Sequence, residues 1–577
     1  MINQQIANLF YEIANFLEMD AVAFKPAAYR RAAWGIESSD IDAKDMYKKG
    51  GTALLEELPG VGKDLALKIE EFIKTGKMAT LEELRAKTPV DVTNFTRIEG
   101  VGAKTVKKLY EGLKIKTLEE LEDAARNGKI RELAGFDEKK EENILRGIEF
   151  LKKEKGRIWI SHAYELGELL KKQLLAEKKV KKVEVAGSLR RMKETIGDVD
   201  ILAVSSDAQK TADAFAALPE AEEVYGKGTL KVNVRLKNGV DADLRIVAKE
   251  EFGAAMQYFT GSKEHNIKLR IIATKKGFKL NEYGLFRGAK KIAGEDEKEI
   301  YEKLEMAYIE PELREDAGEI EAALKGKLPK LIGYNAIKGD LQVQTNWSDG
   351  EHSIAQMAQA AFAAGLSYIG ITDHTGSLKV ANGLDARRLE KQFKEIDELN
   401  RNAKGKFRIL KSAEIDILES GALDISDELL ARLDYSLITV HTHFRMSEGK
   451  MTQRIINALK NPLADILGHP TGRLVLKRQP YEVDMEVLIG AAKEYGVALE
   501  VNAFPERLDL KDVYIRQAVD AGAKLVISSD AHNKNHFPFL RFGIGQARRG
   551  WAQASDVLNT LPLEKFLAQL RRNRNRQ

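Results

Sequence analysis

The sequence has 577 residues, of which 44% are hydrophobic, and it carries 92 lysines and arginines against 88 aspartates and glutamates. At ~150 residues per domain this length predicts about four domains, and the nearly even charge neither indicates nor excludes nucleic acid. Cysteine is absent, which excludes disulfides and cysteine nucleophiles, so any transition-metal site must use His, Asp and Glu. Without a secretory signal or an apolar run of the ~18 residues that a membrane span needs, we expect a cytoplasmic protein that does not contact membranes.

Residues 1–150 are predicted to be helical, because apolar residues recur at three- and four-residue spacing. Two segments, 58–69 and 98–109, resemble each other around a Gly-Val-Gly turn, and a third, weaker copy spans 130–144. Such a turn lets backbone N–H groups approach a DNA phosphate closely, and the next helix start adds partial positive charge. An ordinary glycine-capped helix connection is the alternative, which the repetition disfavours. The glycines concerned are Gly60, Gly62, Gly100 and Gly102.

The region 157–250 alternates between helix and strand and contains the pattern of a two-metal site. Its strand-like segments are 183–186, 199–204 and 241–247. Asp198 and Asp200 point to the same face of a strand, downstream of a Gly187-Ser188 turn whose backbone and hydroxyl groups can hold phosphates. Asp243 can complete a site for two divalent ions, although Asp241 shares its face. A solvated strand end is the alternative, which the upstream Gly-Ser pair disfavours.

From residue 251 on, the predicted helices and strands follow a different pattern. Residues 251–310 indicate mixed helix and strand, and the charged segment 312–336 is predicted to be a linker. From residue 337 on, short apolar strands alternate with helices, which predicts a parallel barrel or a doubly wound sheet. Seven of the nine histidines lie between His352 and His536. The arginines in 571–576 are interpreted as a frayed, solvated helix end, with DNA contact as the alternative.

Together these residues resemble the family X DNA polymerases, the polymerase-beta group, over roughly residues 1–310. The segments 258–266 (Tyr-Phe-Thr-Gly-Ser-Lys-Glu-His-Asn) and 277–283 (Gly-Phe-Lys-Leu-Asn-Glu-Tyr) are highly specific to that family. The resemblance implies that two Mg²⁺ or Mn²⁺ ions are bound by Asp198, Asp200 and Asp243, with Asp243 nearest the primer 3′-hydroxyl.

The same resemblance implies how an incoming nucleotide is held. Its β- and γ-phosphates would contact Ser188 and Arg191, in a pocket that Gly187 and Gly197 line. Tyr258, Phe259 and Gly261 would contact its sugar. Asn266 would contact the base edge, and Arg270 would contact the template strand.

The N-terminal region resembles the family's DNA-end-binding domain, which holds the 5′-phosphate of a gap. Lys68 matches the lysine that acts as a 5′-deoxyribose-phosphate lyase through a Schiff base. Asp64 replaces a lysine of the family's cluster, and an acid raises rather than lowers the pKa of a nearby lysine. We therefore favour a phosphate-binding Lys68 over a catalytic one. The predicted DNA contacts are Lys25, Tyr29, Gly60, Gly62, Gly100, Gly102 and Lys104.

Residues 337–577 resemble a PHP domain, a metal-dependent phosphoesterase, so the whole chain resembles a bacterial or archaeal PolX. That resemblance implies a distorted β/α barrel with Mn²⁺ or Zn²⁺ bound at the carboxyl ends of its strands. The implied ligands are Asp349, His374 and His532 at one position, Glu414, His441 and His469 at a second, and Glu414 with Asp530 at a third.

The first metal-binding motif of the family departs from its usual form in this sequence. Gln342-Val-Gln344 stands where the family has His-x-His, and an amide oxygen is a poorer transition-metal ligand than imidazole. We expect the third position to be weakly occupied or empty. Two interpretations stay open: an active 3′–5′ exonuclease, or a structural or regulatory PHP domain, which we slightly favour.

The predicted fold is multidomain: an all-α helix-hairpin-helix region, an α/β nucleotidyltransferase palm with a thumb, and a distorted β/α barrel. The predicted function is gap-filling DNA synthesis in base-excision-type repair, by a monomer that binds gapped or primed duplex DNA and dNTPs. Two alternatives are a DNA-end-binding repair scaffold and a nucleotidyltransferase acting on RNA or a small acceptor. The predicted boundaries are 1–85 lyase-like, 86–155 fingers-like, 156–248 palm, 249–311 thumb, 312–336 linker and 337–577 PHP.

Overall fold

The computed structural model describes residues 2–39, 41–98, 100–154, 156–403, 405 and 407–574. The chain divides into two compact units, residues 1–155 and 156–577. Among the described residues, no helix combines the length and the apolar character that crossing a membrane requires.

Helices packed around one apolar core form the first unit. They are α1 (Ile2–Met19), α2 (Lys25–Ser38), α3 (Ala43–Leu55), α4 (Lys63–Thr75), α5 (Ala79–Lys87), α6 (Val92–Thr96), α7 (Ala103–Leu113), α8 (Leu118–Arg126) and α9 (Glu138–Glu154). Amphipathic spacing places them: α7, for example, buries Ala103, Val106 and Leu109 at three-residue intervals.

The predicted glycine turns join consecutive helices of this unit. Gly60 lies between α3 and α4 and Gly100 between α6 and α7, with φ of +77° and +83°. Glycine adopts this left-handed conformation without a Cβ clash. Gly135, with φ of +89°, makes a third such turn between α8 and α9. The repeated hairpins are therefore confirmed, including the weaker third copy.

The second unit begins with a five-stranded mixed sheet. The elements of this region are β1 (Ile158–Trp159), α10 (Ile160–Leu175), β2 (Val180–Val185), α11 (Gly187–Arg190), β3 (Thr195–Ile196), β4 (Asp198–Ser205), α12 (Ala208–Ala216), β5 (Ala221–Lys227), β6 (Lys231–Leu236) and β7 (Asp241–Val247). Strands β1 and β3 pair with each other in a separate two-stranded antiparallel sheet. The five-stranded sheet has the order β2-β4-β7-β6-β5, in which only β4 and β7 are parallel neighbours. Strand β7 alternates between buried and partly exposed residues, so Asp241 and Asp243 share the face opposite Ala242 and Leu244.

A small antiparallel sheet with flanking helices follows. Its elements are α13 (Phe252–Thr260), α14 (Lys263–Lys275), β8 (Lys279–Asn281), β9 (Gly284–Arg287), β10 (Lys290–Ala293), α15 (Glu297–Lys303) and α16 (Glu319–Leu324). The segment 312–336, predicted to be a linker, is folded against these elements. Arg314 is fully buried and pairs with Glu297, and buried Glu319 lies 2.7 Å from His265 Nδ1. A charged side chain can be buried when it pairs with an oppositely charged group, and the composition of a segment does not show which group that is.

Parallel strands and helices alternate in the remainder of the unit. They are β11 (Gly339–Val343), α17 (Ile354–Ala363), β12 (Tyr368–Ile371), α18 (Ala386–Asn402), β13 (Arg408–Lys411), β14 (Glu414–Asp416), α19 (Asp427–Leu430), β15 (Leu437–Thr439), α20 (Glu448–Leu459), β16 (Ile466–Leu467), α21 (Met485–Tyr495), β17 (Ala498–Asn502), α22 (Asp512–Ala521), β18 (Leu525–Ser528), α23 (Leu540–Arg549), α24 (Leu563–Gln569) and α25 (Arg571–Arg574).

These strands form two sheets, β11-β12-β13 and β14-β15-β16-β17-β18, that follow chain order. Parallel bridges join Val343 to Ala531 and His374 to Glu414, so each end of the larger sheet contacts the smaller one. A doubly wound sheet would instead reverse its strand order at a switch point. Of the two predicted topologies, this arrangement favours the barrel.

Arg571 and Arg572 are packed against the protein, which corrects the expectation that they lie in a solvated helix end. Arg572 pairs with buried Asp465 at 2.7 Å and donates to the Leu433 carbonyl at 2.6 Å. Arg571 donates to the carbonyl of Leu459, the last residue of α20, at 2.8 Å. The carbonyls at a helix end lack intrahelical partners, and these guanidinium groups supply them. Arg576 lies outside the described residues.

Candidate active sites

The three predicted carboxylates of the mixed sheet meet on one face. Strands β4 and β7 pair in parallel with Asp198 opposite Asp241 and Asp200 opposite Asp243. Burial, followed by the charges of Asp198 and Asp243, raises the pKa of Asp200 to about 7. Burial and Asp243 likewise raise the pKa of Asp198. Oxygen ligands crowded in this way are the donor set of Mg²⁺, so Asp198, Asp200 and Asp243 fit the predicted cations.

The side chains around β7 distinguish Asp243 from its neighbour Asp241. Arg235 pairs with Asp241 through two nitrogens, which neutralises that carboxylate. Asp243 instead accepts a hydrogen bond from the neutral amide of Asn233. Asp243 therefore keeps its charge available for a cation, which supports choosing it over Asp241.

The turn before β4 lies directly against these carboxylates. A Cβ on Gly187 would lie 2.0 Å from Asp200 Oδ2, and Gly187 has φ of +60°, so any side chain here would displace the carboxylate. Ser188 follows it and is half-buried. Gly197 borders the same region, where a Cβ would lie 3.4 Å from the Arg157 guanidinium.

Arg191 ends this turn with its guanidinium directed toward the carboxylates. Its charge lowers the pKa of Asp200, although burial outweighs that effect. Its Nε donates to Glu315 Oε1 at 3.0 Å, and Nη1 donates to the Thr260 carbonyl. A Cβ on Gly261 would lie 3.1 Å from Nη1, so this glycine leaves room for the arginine. The predicted phosphate-binding cation is thus fixed beside the predicted metal ligands.

The residues predicted to contact sugar and base lie around the end of α13. Tyr258 and Phe259 are half-buried, with ring centroids 5.1 Å apart in an edge-to-face arrangement. Asn266 donates to the Tyr258 carbonyl at 2.7 Å and accepts from Gln257 Nε2 at 2.7 Å. Arg270 is exposed on α14. The two rings and Arg270 are accessible to a ligand, whereas the Asn266 amide is engaged within the protein.

In the first unit, Lys68 is held by the acid that the sequence places beside it. Its Nζ donates to both Asp64 carboxylate oxygens at 3.0 Å, and its side chain is 17% exposed. Burial and Asp64 raise the pKa of Tyr29 to about 12. Lys25 is exposed at the start of α2. Lys68 is thus paired with an acid that comes from its own helix.

Three of the predicted DNA-contacting glycines border open space. A Cβ on Gly62, Gly100 or Gly102 would meet no described atom within 4 Å. Gly62 and Gly102 have φ of −94° and −80°, which other residues adopt freely. Neither packing nor a left-handed backbone therefore requires glycine at these two helix N-caps, and their open surroundings leave room for an external group. Lys104 is exposed beside Gly102.

Asp349, His374 and His532 offer ligand atoms that all lie within 4.8 Å of one another. Asp349 Oδ2 is 3.5 Å from His374 Nε2 and 3.7 Å from His532 Nε2. Burial opposes ionisation of Asp349, but the two imidazoles lower its pKa to about 2. His532 Nδ1 lies 2.8 Å from the Asp530 carbonyl, which directs Nε2 toward Asp349. The group fits a transition metal.

A second group comprises His374, Glu414 and His441, again within 4.8 Å. The predicted group had His469 in place of His374. His469 instead reaches the same carboxylate, because its Nε2 lies 2.9 Å from Glu414 Oε1, which is also 3.0 Å from His441 Nε2. His374 Nδ1 is buried without a hydrogen-bond partner and faces Glu414 Oε2 at 3.8 Å. An orphaned imidazole nitrogen beside a carboxylate fits a bound cation.

At the third predicted position, two amide groups present N–H hydrogen-bond donors, whereas a metal ion would need atoms with free lone pairs as ligands. Gln342 Nε2 and Gln344 Nε2 both donate to Glu414 Oε2, at 3.0 and 2.7 Å. All three side chains are buried. The amide hydrogens occupy the lone pairs through which that carboxylate would bridge to a further ion.

Asp530, the other predicted ligand of this position, is also engaged by donors. Its Oδ2 accepts from Asn502 Nδ2 at 3.0 Å and from Arg507 Nε at 3.1 Å. Asn502 also donates to Gln342 Oε1 at 3.1 Å. A guanidinium already supplies positive charge here, so these residues do not fit a third metal ion.

Sequence reasoning missed several residues that complete these sites. Asn502 ends strand β17 and Arg507 follows it, and this position at the carboxyl end of a strand, which predicted ligands such as His441 share, was the available signal. Glu315 and Arg549 lie far apart in sequence and carried no comparable signal, because only the fold brings them together.

Comparisons with protein families agree with this architecture. Residues 255–315 match the DNA polymerase beta thumb. Residues 1–78 match a helix-hairpin-helix domain, and 52–114 and 92–149 match a SAM-like helix-hairpin-helix tandem. A chain with such a thumb, these hairpins and a carboxylate-bearing mixed sheet is of the polymerase-beta class.

Individual relatives make the assignment more specific. The DNA polymerase/3′–5′ exonuclease PolX of Bacillus subtilis is 37% identical over 99% of this chain and 100% of its own length. DNA polymerase lambda of Rattus norvegicus is 26% identical over 54% of this chain and 57% of its own. A probable phosphatase of Thermoanaerobacter sp. is 32% identical over 31% of this chain and 72% of its own. The chain belongs to the PolX family of DNA polymerase/3′–5′ exonucleases, as the sequence motifs predicted.

Proposed function

We propose that the chain is a DNA-directed DNA polymerase of family X that fills short gaps during base-excision-type repair, acting as a monomer on gapped or primed duplex DNA. The observation that carries this proposal is the carboxylate trio of Asp198, Asp200 and Asp243, which adjoins Gly187 and Arg191 on the mixed sheet. Membership of the PolX family supports the same activity.

The residues of the site divide the reaction among them. Two Mg²⁺ ions held by the trio would activate the primer 3′-hydroxyl and stabilise the pyrophosphate leaving group. Ser188 and Arg191 hold the β- and γ-phosphates of the dNTP, so that the α-phosphate lies against the carboxylates. Tyr258 and Phe259 contact the sugar.

In this proposal, the helix-hairpin-helix turns bind the DNA backbone. Gly62, Gly100 and Gly102 border open space, which lets backbone N–H groups approach a phosphate. Contacts of this kind read the DNA backbone and not its sequence, as a gap-filling enzyme requires.

Templated incorporation tests the proposed function. On a one-nucleotide gap with Mg²⁺, we expect the matched dNTP to be incorporated at least ~10-fold faster than a mismatched dNTP or the matched ribonucleotide. Each substrate is followed by primer extension on a denaturing gel. Untemplated addition, or equal use of an RNA primer and NTPs, would instead support the nucleotidyltransferase alternative.

We propose that Lys68 binds the 5′-phosphate of a gap and does not form a Schiff base, because its Nζ is already paired with both carboxylate oxygens of Asp64. Lys68→Ala is expected to weaken binding of a 5′-phosphorylated gap about fivefold, with little change on the unphosphorylated gap. Lys74→Ala, an exposed lysine on the same helix, is the control and should change neither affinity. A borohydride-trapped adduct on an abasic 5′ end that disappears in Lys68→Ala would contradict this proposal.

We propose that residues 337–577 form a PHP domain that holds two Mn²⁺ or Zn²⁺ ions. One position is formed by Asp349, His374 and His532, and the other centres on Glu414 with His441 and His469. Gln342, Gln344, Asn502 and Arg507 take the place of the third ion through their hydrogen bonds to Glu414 and Asp530. We therefore propose that 3′–5′ exonuclease activity is weak and that the domain has a structural role, for which the packing of Arg549 described below supplies a basis.

A further inference from the structure

Arg549 links the C-terminal region to the nucleotide pocket of the mixed sheet. It is the last residue of α23, and its side chain is 3% exposed. Its Nε and Nη2 donate to Asp512 Oδ2 at 2.9 and 2.6 Å. Its Nη1 donates at 2.9 Å both to Glu315 Oε1 and to the backbone carbonyl of Arg191. One buried guanidinium therefore contacts three separate segments of the second unit.

The carboxylate of Glu315 is shared between two arginines. The same oxygen, Oε1, accepts from Arg191 Nε at 3.0 Å and from Arg549 Nη1 at 2.9 Å, and Lys193 Nζ lies 3.7 Å away. Burial raises the pKa of Glu315, but Arg549 and then Arg191 outweigh it and keep the group ionised. The cluster of Arg191, Lys193, Arg549, Glu315 and Asp512 has three positive and two negative charges, so it carries a net charge of one positive unit.

We infer that Arg549 is a positioning residue for dNTP binding, which fixes the backbone at Arg191 and offsets the charge of Glu315 so that Arg191 can bind phosphate. This inference rests on the proposed polymerase function. Without Arg549, Glu315 would keep only Arg191 and Lys193 as cationic partners and the cluster would become neutral, which weakens attraction of a triphosphate. The C-terminal region thereby contributes to the polymerase site without touching substrate.

The adjacent residue provides a matched control. Arg548 is also buried, donates to Glu312 Oε1 at 2.8 Å and to the Ile332 carbonyl at 2.8 Å, and so ties α23 to the segment after α15. Within the part of the chain that the structure describes, its guanidinium forms no hydrogen bond or ion pair with Arg191 or Glu315. Replacing Arg548 therefore tests the loss of buried packing at the end of α23. Replacing Arg549 tests that loss together with the change of charge around Arg191.

Steady-state gap filling by the full chain tests the inference. Arg549→Met is expected to raise the KM for dNTP about tenfold and to change kcat less than about threefold. Arg548→Met should leave the KM for dNTP within about twofold. The double variant Arg549→Met, Glu315→Gln restores a net charge of one positive unit and should return KM most of the way to wild type. Thermal unfolding of each variant is measured alongside.

Each outcome supports or overturns the inference. An unchanged KM in Arg549→Met, an equal rise in Arg548→Met, or no rescue in the double variant contradicts it. If Arg549→Met does not fold, Arg549→Lys replaces it, with a smaller rise in KM that Glu315→Gln again reverses. Arg191→Met separates the two levels of the argument: if that variant also leaves KM unchanged, the proposed nucleotide-binding role of Arg191 fails, whereas a raised KM there leaves the proposed function intact.

Discussion

Asp200→Asn is expected to reduce nucleotide incorporation on a one-nucleotide gap by at least ~10³-fold. Asp200 pairs with Asp243 in the β4–β7 ladder and lies against Gly187, so its carboxylate is central to the trio. An amide of the same size keeps the packing but lacks the charge that a divalent cation needs. The measurement is single-turnover primer extension with saturating dNTP and Mg²⁺.

The thermal stability of the variant distinguishes loss of metal binding from misfolding. Burial and two neighbouring carboxylates raise the pKa of Asp200 to about 7 in the folded protein. In the metal-free protein, the free energy of unfolding therefore falls as the pH rises above the pKa that Asp200 has in the unfolded chain, and the full loss is reached above pH 7. Asp200→Asn removes that repulsion and should unfold at or above the wild-type temperature in metal-free alkaline buffer. Asp241→Asn is the control, because Arg235 already pairs with Asp241, and it should retain activity within about threefold. Near-normal extension by Asp200→Asn, or an equal loss in Asp241→Asn, would remove the polymerase assignment of the trio.

The double variant Gln342→His, Gln344→His is expected to gain one bound metal ion and an increase in 3′–5′ exonuclease rate of at least ~10-fold. The wild-type amides donate hydrogens to Glu414 Oε2, whereas neutral imidazoles would present lone pairs to a cation beside it. Metal content is measured by elemental analysis after dialysis against Mn²⁺, with one more ion expected per double-variant chain than per wild-type chain, because ions bound by the polymerase trio contribute equally to both.

Matched variants make the metal count decisive. The single variants Gln342→His and Gln344→His should each gain less than a full ion, because the other amide still donates to Glu414. Adding His441→Ala to the double variant should abolish digestion of a primer strand. No gain of an ion in the double variant would show that Gln342 and Gln344 do not close the third position.

Much of the first unit and of the polymerase site could be predicted from sequence, because their signals are local. The Gly-Val-Gly turns need a left-handed glycine at a fixed distance before a helix, as Gly60 and Gly100 show. Asp198 and Asp200 lie two residues apart on one strand, and strand geometry alone puts them on the same face. In the C-terminal region, the resemblance to a PHP domain implied ligands such as His441 and His469, and each lies two residues after the end of a strand.

The hairpins, the carboxylate-bearing strands and the alternation of short strands with helices after residue 337 follow from the sequence, because each depends on periodicity or on residues adjacent in the chain. The strand order that distinguishes a barrel from a doubly wound sheet, and the groups that face one another, depend on the tertiary structure. It placed His374 against Glu414 and put Arg507 on Asp530, and it folded the charged segment after residue 311 around Arg314. It also brought Arg549 to Arg191 across more than half the chain. Contacts of this kind depend on buried charges finding partners from distant segments, and no local pattern specifies those partners.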